Sequence, residues 1–423
     1  MTGQPGVATA VPSATRSAGA CRSCGAGPLR VFLSLGDLPL PDALLREDEL
    51  DAPEQRFPLD VAFCSACSLV QIMEEVPPER LFVENYLYFS SFSEALLRHS
   101  REYAGRMIAE RALGPDSLVV EVASNDGYLL RNFVEAGVPV LGIDPAPDQA
   151  QAAKAVGVPT IPEFFGADLA HRLADQGARA DLVVANNVAA HTPTLNDFVA
   201  GLAILLAEDG LVTIENTYVK DLIDRCEFDT IYHEHFCYFS CTAMDALVRR
   251  YGLVITKVER FPSLQGGTLR WHVTRNGPVE ESALAFLRAE REARLTELVY
   301  YEEFGRRVDA IRSSLVGLLR RLRGDGMTIA AYGAAAKGST LLNYAGIGGD
   351  LVDFVVDRNV HKQGLYMPGS HLPVQAPEAL LEEQPDYVLL LAWNYKDEVM
   401  AQQADYRARG GRFIVPIPSP VIV

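Results

Sequence analysis

The segment SLVVEVASNDGYLL, residues 117–130, decides the fold class of this 423-residue chain. Its first half has the β-branched run typical of a strand, and its second half opens a helix, YLLRNFVEAG. The turn region between them is acidic and polar, with Glu121, Asn125, Asp126 and Gly127, and it lacks the G-x-G-x-x-G glycines of a dinucleotide site. Backbone amides at such a junction can approach a ligand closely. An acidic turn suits a positively charged cofactor better than a pyrophosphate.

Strand and helix patterns continue to alternate after this segment. The runs VLGID, ADLVVANNV and LVTIENT predict strands, and AQAAKAVG and TLNDFVAGLAILL predict the helices beside them. Alternation of this kind specifies a parallel, doubly wound α/β sheet. Before the sheet, residues 80–113 have apolar positions at helical spacing, with a serine N-cap at SEALL.

A second alternating unit follows a long helical stretch at about 282–323. There MTIAAYGAA, VDFVVD, YVLLLAW and FIVPI predict strands, and KGSTLLNYAG predicts a helix. We therefore expect a second, smaller α/β domain in the C-terminal part of the chain.

Polar residues follow the strands of the first unit at their carboxyl ends, where open sheets bind ligands. Asp144 follows the second strand, at the place where a nucleotide site holds ribose hydroxyls, and Asn186, Asn187 and His191 follow the third. The pattern resembles the class I methyltransferase fold that binds S-adenosylmethionine; another doubly wound nucleotide enzyme is the alternative. The residues expected to contact this cofactor are Glu121, Ser124, Asn125, Asp126, Gly127, Asp144, Asn186 and Asn187.

Two C-x-x-C pairs near the start of the chain predict a metal site. Cys21 and Cys24 form the first pair and Cys64 and Cys67 the second, which together offer four thiolates to one zinc ion. The gap between the pairs is roughly twice that of a usual zinc ribbon. Four thiolates leave no open coordination position, so the zinc is expected to be structural. Redox-active or unrelated thiols are the alternative.

The composition limits the class of partner. The formal net charge is −17 and no block of Lys or Arg occurs, which argues against nucleic acid or an anionic membrane surface. Residues 1–20 lack the basic start and apolar core of a signal peptide and predict a disordered tail. No apolar run is long enough to span a bilayer. We expect a cytoplasmic monomer that acts on a small molecule.

The run DTIYHEHFCYFS, residues 229–240, combines two histidines, a glutamate and tyrosines just after the fourth strand. A zinc-protease H-E-x-x-H motif is excluded, because Cys237 stands four residues after His233. A metal bound by His233 and His235, or a hydrogen-bonded core segment, remain alternatives. An acid–base cluster fits best, since a histidine titrates near neutrality and a tyrosine can donate to an oxyanion.

Several motifs occur in one order along the chain: the cysteine pairs, ENYLYFSSFS, SNDGYLL, ANNVAAHTPTLNDFVAGL, FDTIYHEHFCYF, GGTLRW, YGAAAKGSTLLNY and VVDRNVHKQG. In this combination the chain resembles the C-methyltransferases that act on nucleotide-linked 4-keto-deoxysugars in antibiotic pathways. The resemblance implies a zinc-binding domain at 21–75, an S-adenosylmethionine domain at 76–285 and a C-terminal α/β domain at 286–423 that contributes to nucleotide-sugar binding. The implied reaction is C-methylation of a dTDP-linked 4-keto-deoxysugar, at C3.

The resemblance also implies roles for individual residues. His235 is expected to be the general base, assisted by Tyr232, Glu234 and His191 and by Tyr86 or Tyr88. Lys337 is the leading candidate for nucleotide anchoring, with Arg358, Asn359 and Lys362 after it; for Lys337, a solvated position at a helix start is the alternative. Ala123 stands where the family often has glycine.

Two other functions stay open at this point. A related enzyme could methylate C5 of the sugar, or an oxygen. The chain could also be a non-catalytic, zinc-bearing protein that binds a nucleotide sugar.

Overall fold

Three β-sheets organise the computed structural model, which describes residues 17–83, 88–262, 264 and 266–423. The N-terminal sheet is antiparallel and has the order β1-β2-β3-β4-β10. Its strands are β1 (Ser17–Ala18), β2 (Leu29–Pro39), β3 (Arg56–Phe63), β4 (Val70–Ile72) and β10 (Cys237–Tyr238). The fifth strand comes from the histidine run, with Cys237 opposite Gln71. The histidine run 229–240 is therefore joined to the N-terminal sheet through Cys237–Tyr238.

The central sheet contains the doubly wound unit and has the order β11-β12-β9-β8-β5-β6-β7. Its strands are β5 (Val119–Val122), β6 (Val140–Ile143), β7 (Thr160–Ile161), β8 (Ala180–Asn186), β9 (Leu206–Thr217), β11 (Val254–Phe261) and β12 (Thr268–Thr274). β5 to β9 pair in parallel, which confirms the α/β fold class. β11 and β12 add an antiparallel hairpin that the strand–helix alternation did not predict, because no helix separates these two strands.

The C-terminal sheet confirms the second, smaller α/β unit and has the order β15-β14-β13-β16-β17-β18. Its strands are β13 (Ile329–Tyr332), β14 (Val355–Val356), β15 (Val374–Gln375), β16 (Tyr387–Leu390), β17 (Arg412–Val415) and β18 (Val421–Ile422). All neighbours pair in parallel except β17 and β18.

Helices cover the sheets and connect them. The predicted helix at 80–113 consists of two described helices, and Ser93 caps the second by accepting a hydrogen bond from Leu96 N at 3.3 Å. The stretch at 282–323 is also two helices, with Arg294 at a φ of 63° between them. The α-helices are α1 (Pro78–Phe82), α2 (Glu94–Arg111), α3 (Arg131–Glu135), α4 (Pro147–Ala155), α5 (Ala167–Asp175), α6 (Leu195–Leu205), α7 (Val219–Asp224), α8 (Cys241–Arg249), α9 (Glu281–Glu292), α10 (Leu298–Gly324), α11 (Ala336–Ala345), α12 (Ala379–Glu382), α13 (Lys396–Gln402) and α14 (Ala404–Ala408).

Contacts between the sheets fix the walls of the site. The N-terminal and C-terminal parts meet where Glu54 accepts from Gly369 N at 2.8 Å and from His371 Nε2 at 2.6 Å. One apolar core runs through all three parts, including Phe63, Phe239 and Leu341. Among the described residues, no helix has the length and apolar character needed to cross a membrane.

Candidate active site

A cavity of about 670 Å³ lies where the three sheets meet. The N-terminal part contributes Asp42 and Glu75, the C-terminal part contributes Ala335 and Asn394, and the remaining wall comes from strand ends and loops of the central sheet. The following sequence-predicted residues line it: Tyr88, Asn125, Asp144, Asn186, Asn187, His191, Tyr232, Glu234, His235, Lys337 and Lys362. Tyr86 lies outside the described residues.

The turn after β5 forms one end of the cavity. Ala123 and Asn125 both have left-handed backbone conformations, with φ of 58° and 49°. Such a φ costs a residue with a Cβ about 1–2 kcal/mol relative to glycine's freedom, which gives a physical reason why glycine suits position 123. At Gly127, with φ 76°, an added Cβ would meet Val156 Cγ2 at 3.1 Å. The turn therefore tolerates an alanine at 123 but requires the glycine at 127.

Asp144 stabilises this turn through two hydrogen bonds from backbone amides. One carboxylate oxygen accepts from Asn125 N at 2.8 Å and the other from Ala146 N at 2.9 Å. Burial raises the pKa of Asp144 to about 6, although the two amide hydrogen bonds act in the opposite direction. Each oxygen keeps a second lone pair, so the carboxyl can still accept from a ribose hydroxyl in the cavity.

Asn125 and Asp126 have a role that the sequence did not indicate. Asn125 Oδ1 accepts from Ser90 N at 2.9 Å, and Asp126 Oδ2 accepts from Ser91 N at 3.1 Å. The cofactor turn thus holds the segment that follows the ENYLYF motif. This tether brings Tyr88 to the cavity wall.

Four of the predicted cofactor residues do not form the cavity wall: Glu121, Ser124, Asp126 and Gly127. Glu121 and Ser124 have no exposed surface, because their side chains point into the packed interior around the strands. Burial, then the nearby Asp144 and Asp126 carboxyls, raise the pKa of Glu121 well above its usual range. These four residues therefore lie behind the cavity wall, in or beside the turn that forms it.

Asn216 is a cavity residue that the sequence analysis missed. It lies at the carboxyl end of β9, and its buried Oδ1 has no hydrogen-bond partner among the described residues. The buried Oδ1 of Asn186, at the end of the adjacent β8, is in the same state. A buried acceptor without a donor is costly, so both atoms suit a ligand that brings N–H or O–H groups. The sequence contains a pattern that could have predicted Asn216, because LVTIEN ends its strand with an asparagine, as ADLVVAN does.

His235 also lines the cavity, and a backbone hydrogen bond orients its ring. Its Nδ1 lies 2.8 Å from the carbonyl oxygen of Thr230. Because a carbonyl can only accept, Nδ1 carries the hydrogen, and in the neutral ring Nε2 keeps its lone pair. Burial and, to a smaller extent, the Lys337 ammonium lower the pKa of His235 to about 4, although the hydrogen bond to Thr230 acts in the opposite direction, so the imidazole is neutral near pH 7.

Aromatic rings enclose His235. The Tyr232 ring lies 4.0 Å away between centroids at an angle of 31°, and the His191 ring lies 4.7 Å away at 70°. Burial, then the neighbouring His235, lower the pKa of His191 well below its usual range. The two histidines are therefore both neutral in the same part of the cavity.

Glu234 belongs to a charged group drawn from all three parts of the chain. Lys362 Nζ donates to Asp42 Oδ1 at 3.2 Å and to Ala334 O at 2.7 Å. Burial, then the Asp42 carboxyl, raise the pKa of Glu234 well above its usual range, which favours the protonated carboxyl. A protonated carboxyl can donate as well as accept. Asp42 was not predicted, because nothing in LPLPDALL signals that it reaches a site beside Glu234.

His233 is part of the core and not of the cavity. It is buried, and its Nε2 lies 3.2 Å from Pro58 O and 3.3 Å from Phe57 O. In the described part of the chain, the cysteine cluster is the one group of His, Cys, Asp and Glu side chains with metal-binding geometry. Of the three interpretations of the histidine run, a core position applies to His233, and the acid–base arrangement fits His235.

Lys337 lies in the wall contributed by the C-terminal sheet. Its Nζ is 4.3 Å from the centre of the Trp393 ring and 3.3 Å from Asn394 Oδ1. Arg358 and Asn359 do not line the cavity, since Arg358 pairs with Glu398 at 3.4 Å and lies at the exposed end of its loop. Asn359 is used within the loop, where its Oδ1 accepts from His361 N at 3.0 Å.

The four N-terminal cysteines converge. Cys21 and Cys67 sulfurs are 3.5 Å apart, Cys24 and Cys64 sulfurs 3.6 Å apart, and all four lie within 4.8 Å of one another. Tetrahedral coordination with Zn–S bonds of about 2.3 Å requires sulfur separations of roughly 3.8 Å, so the arrangement fits a zinc ion. Asn196 of α6 donates to the carbonyls of Arg22 and Ser23 at 2.8 and 2.9 Å, which joins the first pair to the central sheet.

Comparisons with known proteins agree with this architecture. Three family models match in succession: a "zinc binding domain" over 21–82, a "Methyltransferase domain" over 96–258 and a "C-methyltransferase C-terminal domain" over 263–418. C-methyltransferase NovU of Streptomyces niveus is 36% identical over 406 residues, which cover 95% of this chain and 96% of that protein.

Two further similarities are shorter or weaker. A ubiquinone biosynthesis O-methyltransferase of Methylobacterium sp. (strain 4-46) is 29% identical over 125 residues, or 28% of this chain and 50% of that protein. The structure of magnesium protoporphyrin IX methyltransferase from Synechocystis PCC 6803 with bound SAH is 13% identical, covers 47% of this chain and 92% of that chain, and has a TM-score of 0.35. The family assignment rests on the full-length relative: this chain belongs to the C-methyltransferase family and is an S-adenosylmethionine-dependent C-methyltransferase.

Proposed function

We propose that this enzyme methylates C3 of a dTDP-linked 4-keto-deoxysugar in antibiotic deoxysugar biosynthesis, with His235 as the general base. The observation that carries the proposal is the neutral His235 ring, whose Nδ1 is held by Thr230 and whose Nε2 is left for the cavity. A carbon next to a ketone is the kind of carbon that such a base can activate. Methylation of a hydroxyl group would not require an enolate.

The base performs the first step. His235 Nε2 takes the proton from C3, the C–H electron pair forms the C3–C4 double bond, and the carbonyl pair moves onto the C4 oxygen. The enolate carbon would then bond to the methyl carbon as that carbon's bond to sulfur breaks, with the electron pair kept by sulfur in the departing S-adenosylhomocysteine. The ketone would form again, and the proton held on His235 Nε2 would pass to solvent. S-adenosylmethionine supplies that methyl group as an electrophile. A weakly basic imidazole cannot drive this step alone, so donors to the developing oxyanion must contribute much of the rate.

The residues around His235 suit the sugar. Tyr232 packs on its ring, while Glu234, Tyr88 and His191 line the same cavity and offer hydrogen-bond donors or acceptors to the carbonyl and hydroxyl oxygens. Tyr86 remains a candidate from the sequence. Lys337 and Lys362, both in the cavity wall, are the cations available for the anionic substrate.

The cofactor is proposed to lie against the turn after β5. Asp144, Asn125, Asn186 and Asn187 border that end of the cavity, and the acceptor oxygens there match the hydroxyl groups and the positively charged groups of S-adenosylmethionine. The left-handed turn at Ala123 lets backbone amides approach it.

A structural zinc ion is proposed at Cys21, Cys24, Cys64 and Cys67. The sulfur separations support it, and four thiolates leave no position for substrate. The domain division at 21–75, 76–285 and 286–423 remains part of the proposal. The tail predicted at 1–20 overlaps β1 (Ser17–Ala18), which pairs with β2, so the tail is proposed only for the residues before Ser17.

The test combines product analysis with an exchange reaction. The enzyme is incubated with methyl-labelled S-adenosylmethionine and a panel of dTDP-4-keto-deoxysugars, and NMR locates the label. We expect the label at C3, and deuterium uptake at C3 in heavy water without cofactor. His235→Ala should lower kcat by about 10²–10⁴-fold and abolish the exchange. His361→Ala, at an exposed histidine, is the control.

Each other outcome contradicts a specific part of the proposal. Label on C5 or on an oxygen would establish one of the alternative methyltransferases. Exchange that persists in His235→Ala would remove His235 from the role of base. Substrate binding without any methyl transfer across the panel would favour a binding protein for these sugars.

A further inference from the structure

The short 3-10 helix Phe228–Thr230 immediately before the histidine run connects two parts of the site. The Thr230 carbonyl at its end holds Nδ1 of His235. One residue earlier, the fully buried Asp229 accepts from Trp393 Nε1 through Oδ2 at 2.6 Å. The 3-10 helix that orients the proposed base therefore also accepts a hydrogen bond from Trp393 of the C-terminal part.

Trp393 in turn contacts Lys337. The Lys337 ammonium lies 4.3 Å from the centre of the Trp393 ring, a cation–π arrangement, and donates to Asn394 Oδ1 at 3.3 Å. Trp393 and Asn394 are neighbours in the 3-10 helix Trp393–Tyr395. Asp229, Trp393 and Lys337 form a chain of contacts from the central part of the protein into the cavity wall.

The charge of Lys337 acts at the end of the cavity that holds His235. Among the titratable groups around this ring, which include His191, Tyr232, Tyr238 and Glu234, the Lys337 ammonium is the cation that lowers the pKa of His235. Its field also opposes the rise in the pKa of Asp229 that burial causes. The geometry agrees: Lys337 and His235 line the same cavity, and the 3-10 helix Phe228–Thr230 contacts His235 directly and Lys337 through Trp393.

The position of the Lys337 ammonium matters for the proposed enolate chemistry. The carbonyl carbon is bonded directly to the carbon that loses its proton, so a cation beside the base is also beside the oxygen that becomes negative. We propose that Lys337 stabilises the enolate oxygen as a catalytic residue, and that Asp229 is a positioning residue that holds Lys337 there through Trp393. No proton is transferred to or from Lys337 in this role. The inference rests on the proposed function of His235.

The first experiment separates catalysis from anchoring of the nucleotide. Lys337→Met is expected to lower kcat by about 10²-fold, as loss of one oxyanion-stabilising group does, with the KM for the sugar nucleotide changed less than about threefold. Its cofactor-free deuterium exchange should fall in parallel. Lys396→Met, which removes the same charge at an exposed position next to this 3-10 helix, is the matched control and should change neither.

The second experiment tests the positioning. Trp393→Phe keeps a ring beneath the ammonium but removes the N–H donor to Asp229, and it should lower kcat about tenfold with little change in KM. Asp229→Leu should lower kcat as much as Trp393→Phe does. Asp229→Asn keeps an acceptor oxygen for Trp393 Nε1, so its kcat should stay close to that of the wild type. If Asp229→Leu does not fold, the tryptophan variant still decides the matter.

The pH profile of kcat/KM distinguishes the proposed role of Lys337 from a purely structural one, which would leave the profile unchanged. In Lys337→Met the acid limb of kcat/KM should shift to higher pH, because the ammonium no longer lowers the pKa of His235. A variant with a higher KM, an unchanged kcat and an unmoved limb would make Lys337 a phosphate anchor and overturn the proposal. Normal kinetics in Trp393→Phe, beside a defective Lys337→Met, would overturn the role of Asp229. Both outcomes differ from persistent exchange in His235→Ala, which concerns the base itself.

Discussion

Burial is the dominant influence on the residues of the site. His235 and His191 are kept neutral because the charged imidazolium is poorly solvated in the cavity wall, and burial likewise raises the pKa of Glu234 well above its usual range, against the opposing effect of Lys362. The cavity wall thus combines a neutral imidazole with a carboxyl group whose pKa is raised. Such a pairing suits a reaction that removes a proton from carbon while negative charge develops on an adjacent oxygen.

The neutral His235 makes the stability of the protein depend on pH. Its pKa is about 4 in the folded chain against 6.5 as the ordinary value, so the unfolded chain binds a proton in this range that the folded chain does not. Stability is therefore lost as pH falls from 6.5 to 4. His235→Gln should remove this loss. As pH falls across that window, the free energy of unfolding of the variant should therefore rise relative to that of the wild type, by up to about 1.4 kcal/mol per pH unit. Urea unfolding at several pH values measures the difference.

The control for this prediction is His361→Gln, at an exposed histidine. A gap between His235→Gln and wild type that stays constant from pH 6.5 to 4 would contradict a depressed pKa at His235. The comparison concerns stability and does not depend on the identity of the substrate.

At the scale of elements, the histidine run is held at both ends. β10 at Cys237–Tyr238 pairs with β4, and helix α8 starts immediately afterwards with Ser240 as its N-cap, accepting from Ala243 N at 3.0 Å. The first amides of α8, which have no partner within the helix, are also capped by a residue distant in the sequence. Glu290 of α9 accepts from Cys241 N at 2.6 Å and from Thr242 N at 2.8 Å. A negative carboxylate at a helix N-terminus is favourable electrostatically as well.

Removal of this distant cap should be measurable. Glu290→Gln loses charge-assisted hydrogen bonds in a buried position, and the free energy of unfolding should fall by about 1–3 kcal/mol. Glu292→Gln, on an exposed position of the same helix, should change it by less than about 0.5 kcal/mol. Equal effects of the two substitutions in chemical denaturation would contradict the capping role.

At the scale of the whole molecule, the site exists only where the three sheets meet. Asp42, His235 and Lys337 come from three separate stretches of the chain, yet all line one cavity. The N-terminal sheet is completed by β10, and its first cysteine pair is bonded to α6 through Asn196. A disturbance of the cysteine cluster should therefore reach the base.

Metal removal tests the four-thiolate site and its contribution to the stability of the molecule. We expect one zinc ion per chain by elemental analysis, and its removal by a chelator should destabilise the protein by about 4 kcal/mol relative to free zinc at a thousandfold excess over Kd. Cys64→Ser should lose the metal, with a lower melting temperature. Cys226→Ser, at a buried cysteine outside the cluster, should retain the metal. Full metal content in Cys64→Ser would argue against the four-thiolate site.

Sequence patterns were enough to predict the α/β class, the strands β5, β6, β8 and β9, the second α/β unit and the grouping of four cysteines, whereas the two-residue β7 was missed. These follow from local periodicity and from spacing, which hold wherever the chain goes. Only the tertiary structure decided that His235 and not His233 reaches the cavity, that Asn125 and Asp126 hold the neighbouring segment, and that Asp42 and Asn216 join the wall. These depend on which way a side chain points once distant strands have paired, and β10 shows why: its partner β4 lies more than a hundred residues earlier, beyond the reach of any local pattern.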